Sequence, residues 1–392
     1  MMRRMYNFLR YTLVLALAPT LVLAQDKKQE PCPDVTINLS GLSVFSELKL
    51  DKLVSSLEGL ESLSELKVLA SLGSMETLEQ LEDIQEMAMV YQTGDAAAYD
   101  VEKRKVIDKT FKVNSKDILN IENEWGKVHV NTWEKNEIRV KVDIIARAGN
   151  EAKAQEILDN IKVLENREGN TFSFRTKREP MRINGNNNKG VEINYTIYMP
   201  TENAVAIKNS FGDIYLASMK GKADIDLKYG SLKCDRLTNT GNTLKIAYSS
   251  GSCTYISGGN MQVAFSNMKI DGANNLQGTS KYSDFKIGNL EEVIDLEVKY
   301  GSFKIDNISK NIRKVSLDSG FTPVNLNFED NSAFNFAVNV QFANFNVDKS
   351  LVTITSLEKD YTSAEYKGKF GGASPKGTVN IVSKYGDVKF TR

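Results

Sequence analysis

The stretch Asp224-Ile225-Asp226-Leu227-Lys228-Tyr229-Gly230-Ser231-Leu232-Lys233-Cys234 decides the fold. Apolar and polar residues alternate at period two on both sides of an aromatic, a small residue and a turn-former. The same unit returns as Phe211-Gly212-Asp213, Tyr248-Ser249-Ser250, Phe265-Ser266-Asn267, Tyr282-Ser283-Asp284 and Tyr300-Gly301-Ser302. From Phe211 to Tyr300 the aromatics are 18, 19, 17, 17 and 18 residues apart. Ser319-Gly320, Phe342-Ala343-Asn344 and Tyr385-Gly386-Asp387 continue the series after longer insertions, and Trp125-Gly126 reads as an isolated early copy.

Each repeat predicts two short strands around a turn whose Gly or Ser tolerates unusual backbone angles. Before the turn, the inward candidates are Ile225 and Leu227, Leu244 and Ile246, Met261 and Val263, and Leu296 and Val298. After it they are Leu232 and Cys234, Met268 and Ile270, Phe285 and Ile287, and Phe303 and Ile305. One such unit encloses no core alone. Stacked at the ~4.8 Å strand spacing, the units bury a continuous apolar column. The expected fold is mainly β: a parallel β-helix or β-solenoid with ~18-residue rungs over 201–392, right-handed by the crossover rule.

Upstream, residues 101–200 read as a β-rich part of the same domain. Ile118–Trp133 and Ile138–Ala146 alternate at period two. Glu151–Ile161 is an amphipathic helix with Ala154, Ile157, Leu158 and Ile161 on one side. Val163–Asn166 and Thr171–Arg175 flank Glu168-Gly169-Asn170 as a hairpin. Asn184–Gly190 is a polar loop, and Val191–Met199 is a strand stopped by Pro200.

Residues 1–24 read as an export signal: Arg3, Arg4 and Arg10, an apolar run from Tyr11 to Leu23, then Val22 and Ala24 at the cleavage site. That run is short for a membrane span, which takes about 20 residues, and no later stretch spans one. Cys32 follows Glu30-Pro31 rather than a small apolar run, so lipidation is not expected. Residues 25–100 form an acidic helical segment and linker, in which residues 41–92 hold ten acids and three bases. Its apolar residues recur every third position from Leu57 to Met87, and Gly41, Gly59 and Gly73 break it into short amphipathic helices. Such a segment docks a partner, caps the next domain or acts as a spacer.

The 392 residues carry 50 Lys+Arg against 50 Asp+Glu and one His. Zero net charge gives no pull toward nucleic acid. A single histidine, His129, removes most metal sites and histidine-based nucleophilic schemes. Its alternation points it outward. No cofactor or metal site is expected.

The run Tyr195-Thr196-Ile197-Tyr198-Met199-Pro200, then Phe211-Gly212-Asp213-Ile214, the repeated Tyr-Gly-Ser units, and Gly377-Thr378-Val379-Asn380-Ile381 before Tyr385-Gly386-Asp387-Val388 carry a family resemblance. Residues 110–392 resemble the bacterial putative-adhesin domain family, relatives of GIN-type auto-transporter adhesin heads. The resemblance implies an exported β-helix at the cell envelope and attaches no catalytic residues to it.

Three sets of side chains are candidates for a site. The repeat aromatics Tyr229, Tyr248, Phe265, Tyr282, Tyr300 and Tyr385 form either a carbohydrate-stacking platform or a ladder in or beside the core. Alternation groups them with inward residues such as Leu227 and Val298, which favours the ladder in or beside the core. Lys233, Lys269, Lys286, Lys304 and Lys389 follow the turn and point outward, a candidate basic face for anionic glycan; Lys228, Lys281, Lys299 and Lys384 precede it. Asp224, Asp226, Asp235, Asp271, Asp295, Glu297 and Asp306 lie close enough to neutralise that face. Asp213, Asp284 and Asp387 share a turn position with serines and asparagine, which is turn chemistry rather than an acid/base pair. Cys234 and Cys253 stand one rung apart at equivalent inward positions, which fits a disulfide or two buried thiols.

These features together predict an exported, non-catalytic envelope protein, adhesin-like, contacting glycan or protein, in the periplasm, on the outer-membrane surface or outside the cell. A periplasmic scaffold or envelope-stress-sensing partner is the alternative, and a polysaccharide-processing β-helix enzyme a weaker one.

Overall fold

The computed structural model describes residues 101–179, 190–372 and 374–392. The export signal, the acidic helical segment and most of the Asn184–Gly190 loop lie outside the described residues. What is described is mainly β: 24 strands in a mixed, mostly parallel sheet, with one short α-helix.

The repeat is realised as two columns of parallel pairs. Strands that precede the corner aromatic pair with one another. Ala204–Ser210, Ala223–Lys228 and Asn242–Ala247 stack in that order, and Ile207, Ile225 and Leu244 fall in one row. Strands that follow the corner pair likewise, so that Leu232 lies opposite Gly251, Met268 opposite Phe285 and Phe285 opposite Phe303. From Ser250 to Lys299 the chain runs through three long strands of 15, 15 and 16 residues, each serving both columns. Gly259 and Gly278, at φ 131° and 141°, place their backbone against the carbonyls of Asn242 and Met261, where a Cβ would overlap.

Period-two alternation sets the core. Every inward residue expected above, from Ile225 to Ile305, is at most 3 % exposed. Each rung's apolar pair rests on the pair one repeat earlier, so a single column of buried side chains runs through the stack.

The two ends depart from parallel pairing. At the N-terminal end Val101–Lys112 pairs antiparallel with Glu137–Ala148, which pairs antiparallel with Gly190–Pro200. The helix Glu151–Asp159 lies against the first two of these strands and buries Ala154, Ile157 and Leu158, with Asn150 as N-cap. Ile161 opens the next strand rather than ending the helix. That strand, Ile161–Glu168, forms the expected hairpin with Thr171–Arg178 around Gly169. Pro200 is the last residue of its strand.

The early copy at Trp125-Gly126 is a corner: Trp125 (φ 67°) divides Ile118–Trp133 into Ile118–Glu124 and Val128–Trp133, a rung beneath 204–216. The copy taken as Ser319-Gly320 is displaced: the corner residue is Phe321, and Ser319 is buried beside it. The irregular C-terminal spacing has a topological cause. Gly377–Lys384 inserts between Lys314–Gly320 and Phe334–Gln341, so chain order and spatial order differ there. Val352–Lys359 and Ser363–Phe370 then close that end antiparallel.

Candidate functional site

Every corner between the two columns carries an aromatic residue in the left-handed region. Trp125, Phe211, Tyr229, Tyr248, Phe265, Tyr282, Tyr300, Phe321, Phe342 and Tyr385 have φ between 50° and 67°. Bulky side chains rarely adopt this conformation, and each costs about 1–2 kcal/mol there. The left-handed residue swings its side chain out of the strand's alternation. Seven of the ten rings, Tyr248, Phe265, Tyr282, Tyr300, Phe321, Phe342 and Tyr385, are therefore 42–51 % exposed. The aromatics therefore stand beside the core rather than within it.

Outside the core, the rings stack on one another. In spatial order the series is Trp125, Phe211, Tyr229, Tyr248, Phe265, Tyr282, Tyr300, Phe321, Tyr385 and Phe342, with neighbouring centroids 4.6–5.2 Å apart. From Phe211 onward the planes lie within 11° of parallel. An aromatic pair is worth roughly 0.5–1.5 kcal/mol beyond its buried area, which offsets most of the backbone cost per rung.

The residue after each ring closes the corner. Ser249 Oγ donates to the Ala247 carbonyl at 2.7 Å and accepts from the Gly230 N–H at 3.2 Å. Ser266 and Ser283 repeat both bonds, and Thr322 does so beneath Gly301. At Gly301 a Cβ would overlap the carbonyl of Ser283 one rung away, so the close approach requires glycine. Asp213 and Asp284 fill the next position and accept from Ser231 and Ser302 of the following rung; Asp387 accepts from Asn344. These carboxylates are rung-to-rung staples.

A shallow groove of about 720 Å³, largely open to solvent, runs beside the middle of the ladder. Tyr248, Phe265, Tyr282 and Tyr300 line it with Ser250, Asn267 and Asp284 and the intervening serines. The hydroxyls of Tyr248, Tyr282 and Tyr300, the Ser250 hydroxyl and the Asn267 carboxamide make no side-chain hydrogen bond among the described residues.

The lysine row is real in register. Lys233 follows His129 and Tyr215 in one outward line, Lys269 lies opposite Lys286, and Lys286 opposite Lys304. Acids answer it closely. Lys269 pairs with Asp271 at 2.8 Å, and Asp306 takes both Lys286 at 2.7 Å and Lys304 at 2.8 Å. Those two ammonium groups hold the Asp306 carboxyl below its ordinary range, and Asp271 raises Lys269. Lys233 sits 6.0 Å from the Tyr215 ring, and Lys389 has no ion pair among the described residues. His129 is exposed, its ring 4.3 Å from Tyr215.

On the pre-corner face a second depression of about 480 Å³ includes Asp295, Glu297 and Asp318. Lys314 pairs with Asp295 at 2.6 Å, and Lys299 with Glu297 at 2.6 Å. Lys299 holds the Glu297 carboxyl below its usual range, the opposite of what a general acid needs. Among the described residues no group of three His, Cys, Asp or Glu side chains is placed to hold a metal ion.

Cys234 and Cys253, paired across adjacent rungs with Cα atoms 4.5 Å apart, form a disulfide inside the column. Sequence reading missed the polar cluster at the first corner. Buried Asn123 donates to Asn209 Oδ1 at 3.1 Å, and Asn209 donates to the Gly126 carbonyl at 3.0 Å. The only signal is an asparagine two residues before Trp125 and before Phe211, where other rungs carry an apolar residue or serine.

No protein-family model matches the sequence, and neither does any curated protein. Among solved structures, the chain is similar to a putative adhesin from Bacteroides fragilis NCTC 9343: 14 % identity, 73 % of this chain and 97 % of that one, TM-score 0.32. It is also similar to a putative adhesin from Parabacteroides distasonis ATCC 8503, at 7 % identity, 73 % and 97 % coverage and TM-score 0.38. A putative cell adhesion protein from Clostridium sporogenes ATCC 15579 aligns at 11 % identity, 74 % and 99 % coverage and TM-score 0.18. These three structural neighbours are bacterial putative adhesins or cell adhesion proteins.

Proposed function

We propose that this chain is an exported, non-catalytic β-solenoid of the cell envelope, an adhesin-like module that contacts glycan or protein along its aromatic corner. The unbroken ladder of exposed rings carries the reading. Contiguous exposed aromatic surface marks interaction sites in soluble proteins, and here it is kept at positions that cost backbone strain. The two parallel columns support a solenoid, since each rung's strands pair one repeat onward. Export is supported by the residue pattern of 1–24 and by the Cys234–Cys253 disulfide, which belongs to oxidising compartments.

Protease shaving of intact host cells tests the reading. Digestion of the mature chain before lysis, with a periplasmic control intact, is the expected result and places the ladder outside the cell. Protection until lysis removes surface adhesion and favours a periplasmic scaffold whose acidic segment, residues 41–92, docks a partner.

A further inference from the structure

We propose that the groove beside Tyr248, Phe265, Tyr282 and Tyr300 binds a linear, neutral β-1,4-linked polysaccharide laid along the stack axis, one sugar per rung. The inference rests on the binding-module reading above and names the ligand class of the same corner.

Pitch is the first argument. The rings repeat every 4.7–4.9 Å through this stretch, and an extended β-1,4-linked pyranose chain advances only slightly further per sugar, so a few successive sugars stay within reach of successive rings. An extended peptide does not fit. Its same-face side chains recur about every 6.6 Å, so successive contacts fall between rungs.

Ring orientation is the second. Planes 1–5° from parallel cover one another's faces, so the ladder offers its rims rather than open faces. The rim of an aromatic ring is the positive part of its quadrupole and attracts oxygen. A uniform line of rims suits an oxygen-rich chain whose successive sugars are flipped, because neither orientation is penalised. This differs from a flat stacking platform, which needs an uncovered face.

Hydrogen bonding and charge are the third. The tyrosine hydroxyls, Ser250 and Asn267 border the groove with side-chain donors and acceptors unspent within the described protein. Among the groove's lining residues only Asp284 is charged, and its Oδ1 already accepts from Ser302. An uncharged polymer complements an almost uncharged trough. A polyanion finds no unpaired cation in it, which argues against nucleic acid and uronate chains.

Calorimetric titration of the purified mature chain with cellohexaose, chitohexaose and mannohexaose tests this, with α-1,4-linked maltohexaose as control. The expected result is binding to at least one β-1,4 hexaose, ten-fold or more tighter than to its trimer and to maltohexaose. Phe265→Gly/Tyr282→Gly keeps residues suited to positive φ and is expected to weaken binding at least ten-fold. Ser250→Ala/Asn267→Ala, which alters exposed side chains alone, is expected to weaken it several-fold. Binding to none of the three chains, or equal binding by both variants, overturns the proposal. Ladder-dependent self-association without sugar uptake also overturns it, in favour of a second copy as the occupant. Those results leave the shaving experiment untouched, so a wrong ligand class and a wrong compartment give different failures.

Discussion

The rings of Phe265 and Tyr282 lie 4.8 Å apart with 1° between their planes, and both residues hold φ near 50°. Stacking and strain are therefore two sides of one arrangement, since only the left-handed backbone brings the ring out to meet its neighbour. At Tyr282, glycine removes strain and ring together, whereas alanine removes the ring and keeps the strain. Urea unfolding is expected to show Tyr282→Ala less stable than Tyr282→Gly by about 1 kcal/mol. Equal stabilities would show that the backbone at Tyr282 is unstrained.

The disulfide closes a 19-residue separation within the core. Reduction, or Cys234→Ala/Cys253→Ala, is expected to lower stability by about 3 kcal/mol, the usual effect for a loop of this size. Without reductant, denatured mature protein should take up one alkyl group, at Cys32, and three after reduction. Three before reduction would show the core pair to be thiols.

Tyr195 is buried and its hydroxyl sits 2.8 Å from Thr176 Oγ1. Burial pushes its phenol up to about 12, although the Thr176 bond acts the other way. A folded-state value above the unfolded one means the contribution is complete below about pH 10 and lost as pH rises toward 12. Roughly 3 kcal/mol of stability should disappear across that window. Tyr195→Phe is expected to flatten the alkaline limb in pH-dependent denaturation, at the cost of about 1 kcal/mol at neutral pH for the lost hydrogen bond.

Asp271 and Asp306 answer Lys269, Lys286 and Lys304, the middle of the lysine row, so the wild-type chain should leave a heparin column at low salt. Asp271→Asn/Asp306→Asn frees three ammonium groups in one line and is expected to raise the eluting salt clearly. Strong retention of the wild type would restore a basic face.

Much of the fold is legible in the sequence. Leu227, Ile246, Val263 and Val298 precede the corner aromatic by two and are all buried, because inside a strand side chains alternate strictly. The rule fails one step past the strand's end. Tyr229 in a continuing strand would face inward with Leu227, but its positive φ resets the phase, and nothing in a single sequence announces a strained tyrosine where glycine or asparagine is usual. Phe321 was hidden because Ser319-Gly320 imitates the small pair two residues early. The place of Tyr385 between Phe321 and Phe342 depends on a strand inserted out of chain order, which spacing does not encode. The lysine row and its neutralising acids, both local to a strand, were legible.

Binding of the envelope by the exposed corner rings is tested by hydroxyl-radical footprinting of the purified chain, alone and with polysaccharide extracted from the host envelope. Strong labelling of Tyr248, Phe265, Tyr282 and Tyr300 is expected in the free protein, with little at buried Tyr195, and protection of those four rings when polysaccharide is added. Weak labelling of the four in the free protein, or protection confined to another face, would contradict it.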